Sequence, residues 1–247
     1  MKKILNYKSI PWVVVLAGFL GMALRWILMF DVNDRGFVVK SHPVALVLLA
    51  MTGVVLIFLL VITRPMTQAN KYSFNFPASI LGAAGALLAA IVMGIFSVRE
   101  FADAKDLWEI ASSGVGLISA LCLVFVAYCR KQGLHPSAMA HTTICIALML
   151  RLICMYRQWS ADPQLYDYCY QLLALVCAML AAYHRATFDA DFGHRGKYTF
   201  FSLSAVYFCI VSLSGQGWLF YLAQGCWLIT DLCNLKPMPK ELQEEEK

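Results

Sequence analysis

Eight uninterrupted apolar stretches of about helix length, at 11–30, 43–63, 76–98, 107–129, 138–156, 166–184, 198–214 and 217–233, dominate this chain of 247 residues. A bilayer core holds no water to satisfy backbone amides, so a chain that crosses it must do so as helices or as a closed barrel. Barrel strands read as alternating segments of about ten residues, which these continuous runs are not. The expected fold is therefore an all-α integral membrane protein with about eight transmembrane helices. Composition agrees, with 60% hydrophobic and 14% charged residues and a mean hydropathy of +0.66. Eight spans of about 20 residues take about 160 positions, which leaves no room for a separate soluble domain. The last two stretches are the shortest and are joined by Ser214-Gly215-Gln216-Gly217, so a fused or re-entrant arrangement stays open there.

The amino terminus imitates a signal peptide, with Met1-Lys2-Lys3, an apolar run and small residues at Gly21-Met22-Ala23. The apolar run continues beyond that point, and its end recurs in a later span, so helix 1 is expected to be retained.

Loop charges set the expected orientation. With a cytoplasmic amino terminus, thirteen Lys and Arg fall on the cytoplasmic side: Lys2, Lys3, Lys8, Arg64, Lys71, Arg130, Lys131, Arg185, Arg195, Lys197, Lys236, Lys240 and Lys247. Five, namely Arg35, Lys40, Arg99, Lys105 and Arg157, fall on the other. Both termini are expected in the cytoplasm, with the protein in the plasma or cytoplasmic membrane. The net charge of +5 is accounted for by flanks that face an anionic leaflet, so no nucleic-acid partner is implied.

The chain resembles itself. Leu24-Arg25-Trp26-Ile27-Leu28-Met29-Phe30 aligns with Leu150-Arg151-Leu152-Ile153-Cys154-Met155-Tyr156, and Lys71-Tyr72-Ser73-Phe74 with Lys197-Tyr198-Thr199-Phe200, both at an offset of 126. A third match, Gly114 to Cys122 with Gly225 to Cys233, has an offset of 111, which puts a deletion between the last two spans. Two parallel four-helix repeats follow, at 1–130 and 131–235, with a disordered cytoplasmic tail at 236–247. In the third span Ala78, Gly82, Ala86, Ala90 and Gly94 make a small-residue packing stripe, replaced in the second copy by Ser204, Phe208, Ser212 and Gln216.

Arg25 and Arg151 are the leading functional candidates, because an arginine inside a span is expensive and here it recurs in both repeats. Gly18, Gly21 and Arg25 share a face, which points that guanidinium into the bundle. Glu109 and Asp167, with Asp31 and Asp34 beyond helix 1, are the carboxylates at similar depth. If these pair with the arginines, the pairs are struts; if not, a guanidinium site between the repeats suits a small anion or zwitterion. The expected substrate-binding set is Arg25, Arg151, Glu109 and Asp167.

Other polar residues read as structural. His141 and His184 are expected at the interface, although a bis-histidine haem is geometrically conceivable; Asp231 is expected to be solvated near the cytoplasm; Gln171 and Gln224 are expected to bridge helices. Aromatic residues from Trp12 to Tyr170 gather near span ends as an interfacial belt. Nine cysteines without a C-x-x-C pair give no zinc or redox framework, and Cys154 with Cys169, both near the outer face, leave one disulfide open. Hydrolase, metalloprotease, Walker A and Rossmann motifs are absent, and no lysine lies inside a span for retinal. No enzyme, metal or cofactor is expected. The reading is a carrier or channel for a small anionic or zwitterionic solute. Its alternative is a non-transporting sensor, assembly factor or subunit, with a protein partner or a homo-oligomer open to either.

Overall fold

The computed structural model describes residues 9–30, 42–66, 70–159, 165–215 and 217–236, apart from the side chains of 159 and 165–167, and among these it contains helices and turns but no strand. The helices are α1 Ile10–Phe30, α2 Pro43–Thr63, the single turn α3 Tyr72–Asn75, α4 Ile80–Asp103, α5 Leu107–Gln132, α6 Ala138–Trp159, α7 Leu165–Asp189, α8 Arg195–Val211 and α9 Trp218–Cys233. Local chemistry sets their ends. Pro43 opens α2 while the His42 Nδ1 accepts from Val44 N–H at 3.2 Å. The Ser79 hydroxyl caps α4 by accepting from Gly82 N–H at 3.1 Å, and Gly133, at φ +71°, closes α5 in the left-handed conformation that glycine adopts without penalty.

Seven of these helices, α1, α2 and α4 to α8, the last continued through the 3-10 turn to Ser214, are long and apolar enough to cross a membrane, which makes the chain a polytopic membrane protein. The expectation of eight full spans is corrected at the last one. α9 has 16 residues, about 24 Å of helix against a hydrocarbon core of about 30 Å. Gly217 in the left-handed conformation starts it late, after a 3-10 turn at Ser212–Ser214. The tail at 237–247 lies outside the described residues.

From α4 to α9 each helix packs on the next, and α9 returns to pack on α4, while α1 and α2 lie against α8. The halves 1–130 and 131–235, expected as two repeats, therefore intermix, and their helices do not pair alike. α7 packs on α8, whereas α2, its counterpart at offset 126, has α1 and α8 as neighbours. Small residues make the close approaches. On α1 the face Gly18, Gly21, Arg25 is indeed buried, with a Cβ on Gly21 only 2.8 Å from Val211 Cγ2. On α4 the tightest contact falls beside the expected stripe, at Gly85, where an added Cβ would lie 2.0 Å from the Thr230 hydroxyl of α9. Ala86, Ala89 and Ala90 are also buried, so α4 is narrow on two faces and admits both α5 and α9. These contacts define two ends: a proximal end, where α1, α4 and α8 start and α9 finishes, and a distal end, where α4 finishes and α5 starts.

Candidate functional site

Arg25 and Arg151, the recurring arginines, both lie in the distal half but do not meet in one contact. Arg25, 4% exposed, donates through Nη1 to the Val211 carbonyl at 3.4 Å and stands 5.6 Å from the Tyr170 ring centre. The second position is built differently. Arg151 donates to Glu100 Oε2 at 2.8 Å and lies 4.1 Å over the Phe220 ring, so a carboxylate and an aromatic face share its charge. Its acceptor is thus Glu100, which comes one turn before the end of α4, and not Glu109.

Glu109 is engaged locally. Its carboxylate accepts from the backbone N–H of Lys105 at 2.9 Å and of Asp106 at 3.5 Å, and from Gln158 Nε2 at 3.0 Å, which ties the α5 start to α6. This is helix-capping chemistry, satisfying amide donors that a helix start leaves bare. The side chain of Asp167, as well as Asp31 and Asp34, lies outside the described residues.

Arg151 and Glu109 nevertheless line one space. A cavity of about 290 Å³ opens at the distal end between α4, α5 and α6, bordered by Arg99, Glu100, Asp103, Glu109, Arg151 and Gln158, with Phe96 and Ser112 beneath. Three carboxylates and two guanidiniums border it, so it carries both signs and has an acidic excess. A bare anion is disfavoured by that balance; a solute that brings its own ammonium is not.

The proximal end holds a second, closed charge cluster. Arg130 of α5 donates to Asp231 of α9 at 2.6 Å and to the Pro77 carbonyl at 3.1 Å. Arg185 of α7 donates through Nε to the other Asp231 oxygen and through Nη1 to Asp189, both at 3.0 Å. Asp189 also accepts from His141 of α6, and Asp231 from the Tyr198 hydroxyl of α8 at 3.0 Å. Phe76 lies 3.7 Å from the Arg185 guanidinium and 5.0 Å from that of Arg130, covering both. Two guanidiniums against two carboxylates balance to zero, with the His141 ring bonded to one of them. All five ionisable partners are at most 6% exposed. Five helices are thereby pinned at one point.

This cluster overturns two expectations. Asp231 is buried and doubly ion-paired rather than solvated, and His141 is wholly buried rather than interfacial. The signal was present in the sequence: opposite charges stand at the same depth at the proximal ends of the fifth, seventh and ninth helices, and Arg185 with Asp189 is an i, i+4 pair. Counting Arg130 and Arg185 as loop charges hid it. Tyr72 and Tyr170 likewise leave the expected belt for the interior, and Tyr207 joins Thr52 at 3.0 Å. Gln224 bridges α9 to α4 as expected, through Met93 Sδ at 3.8 Å. Cys154 and Cys169 are both thiols.

Among the described residues no three His, Cys, Asp or Glu side chains gather as a metal site. No family model, no curated protein and no solved structure matches the chain.

Proposed function

We propose that this polytopic membrane protein is a carrier or channel for a small zwitterionic solute, with the distal cavity as its point of entry. The observation that carries the reading is the cavity itself: it is open, bordered by three carboxylates and two guanidiniums, and formed by helices from both sequence repeats, α4 and α5 with α6. Its acidic excess narrows the expected anionic or zwitterionic solute to the zwitterion. In this reading the proximal end faces the cytoplasm. Setting aside Arg130, Arg185 and Arg195, which are buried, the Lys and Arg count is still ten against five. The reading assigns no enzymatic chemistry to the chain.

A second reading has its own support. Arg151 is already paired with Glu100 and covered by Phe220, and Arg25 is held by Val211 and Tyr170, as struts of a non-transporting component would be. Thermal stability of the detergent-purified protein against amino acids, betaines and small anions separates the two. A zwitterion at a hundred times its Kd should stabilise the wild type by about 2.7 kcal/mol and the Arg151→Gln variant less, after which flux of that compound is measured in proteoliposomes. Silence across the panel, with a variant that merely melts early, selects the strut reading.

A further inference from the structure

The charge-bordered cavity has an apolar neighbour. On the outer surface of α4 and α5 runs an open groove of about 760 Å³, lined by Ala90, Ile91, Gly94, Ile95 and Val98 of α4 and by Leu117, Ala120, Leu121 and Val124 of α5. Arg99 borders both spaces. The groove runs along α4 from Ala90 to Ala102, about 18 Å at 1.5 Å per residue, close to the depth of one leaflet and about half of what a helix from a second copy would need. Gly94 leaves its floor empty: a Cβ there would meet only Ala120, at 3.8 Å.

The rim supplies charges that no neighbour consumes. Arg99 and Asp103 are exposed, stand at i and i+4 on α4, and take part in no hydrogen bond or ion pair among the described residues. Such a pair spans about 6 Å between Cβ atoms. A cation beside the groove and an anion one turn further out match a phosphate followed by an ammonium.

We infer that the groove and the cavity together form a binding site for a zwitterionic phospholipid of the distal leaflet, with an acyl chain along Gly94, the phosphate on Arg99 and an ethanolamine ammonium directed at Asp103 and the carboxylates of the cavity. This deepens the zwitterion reading of the cavity and rests on it. A primary ammonium carries three N–H donors for those carboxylates, whereas choline carries none, which selects ethanolamine. The chain in the groove is held by apolar contact and the phosphate by the guanidinium fork.

The test titrates full-length protein in detergent with dioleoyl phosphatidylethanolamine, the matching phosphatidylcholine and phosphatidylglycerol, and soluble glycerophosphoethanolamine, following the melting temperature. Phosphatidylethanolamine is expected to half-saturate at about tenfold lower mole fraction than phosphatidylglycerol. Arg99→Gln should weaken it about fivefold, and so should Gly94→Leu, which fills the groove. Arg99 is exposed, and a Cβ at Gly94 would make only an ordinary van der Waals contact with Ala120, at 3.8 Å, so the lipid-free melting temperatures should stay close to the wild type. Equal response to every lipid, untouched by either variant, means annular lipid only and overturns the proposal. A soluble headgroup that binds the wild type and Gly94→Leu alike also overturns it, while sparing the solute reading. No response to lipid or soluble zwitterion overturns both.

Discussion

The two ends of the bundle use the same side chains to opposite effect. At the proximal end Arg130, Arg185, Asp189, Asp231 and His141 are sealed from water and bonded to one another. At the distal end Arg99, Asp103 and Glu109 border an open cavity, and the Glu100 side chain that pairs with Arg151 is 41% exposed. Solvation explains the difference. A buried charge is tolerable only with its partner in place, so the sealed cluster specifies one packing of five helices. Charges left at an interface keep their water and stay free to exchange it for a ligand.

Removing one member of the sealed cluster is therefore the largest perturbation available. Asp231→Asn would leave Arg130 and Arg185 facing one carboxylate fewer, and should cost about 3–5 kcal/mol, enough to prevent recovery of folded protein. Replacing Arg130, Arg185, Asp189 and Asp231 together by apolar residues should recover much of that loss. Equal melting temperatures for Asp231→Asn and wild type would sink the contrast between the ends.

Gly85 offers a steric version of the same contrast. Gly85→Val drives a side chain into Thr230 of α9, where even a Cβ would lie 2.0 Å from the hydroxyl, and should cost about 1–3 kcal/mol. Gly94→Val, two and a half turns further along α4, meets only Ala120, at an ordinary contact distance of 3.8 Å from the added Cβ, and should melt within about 0.5 kcal/mol of wild type. A reversed order would mean that α4 and α9 are not in this contact.

Ionic strength should sharpen the comparison further. Raising salt towards 1 M shortens the screening length to about 3 Å, which weakens a half-exposed pair and leaves a buried one intact. The stability difference between wild type and Arg151→Gln, about 1 kcal/mol at low salt after allowing for solvent, should shrink with added salt. The deficit of a conservative proximal variant such as Tyr198→Phe, which loses only the bond to Asp231, should stay constant. Parallel salt dependence in the two would show that the proximal cluster is hydrated.

Sequence reading recovered most of the scaffold and little of the sealed cluster. Spans are legible because bilayer thickness imposes length and apolarity on every residue of a run, so α1, α2 and α4 to α8 emerge within a few positions of their ends. Depth along a span is legible too, which is how Glu109 was placed level with Arg151, beside which it borders the cavity. Partner choice was not, because it depends on helix rotation and on which helices become neighbours. Glu100 and Glu109 lie nine residues apart across a tight turn; only the geometry tells that the first meets Arg151 while the second caps α5. Arg130 and Arg185 defeated the reading for another reason. A basic residue at the end of a span is the ordinary mark of a cytoplasmic flank, and α3 and Phe76 fold over that end to bury both.

Cysteine accessibility gives the smallest effect and also the one that bears on orientation. Cys154 of α6 borders the distal cavity, and Cys129 of α5 is 2% exposed near the proximal end. In single-cysteine proteins reconstituted into vesicles, a membrane-impermeant methanethiosulfonate should modify Cys154 from the distal side and leave Cys129 untouched from either. A zwitterion that occupies the cavity should slow Cys154 labelling by the fraction of sites filled, about half at its Kd. If Cys154 reacts only from the outside of cells, the proximal end is cytoplasmic, as proposed from the ten-against-five count. Reaction of Cys154 only from the inside would reverse the orientation, and equal reactivity of Cys129 would mean that the proximal end is not sealed.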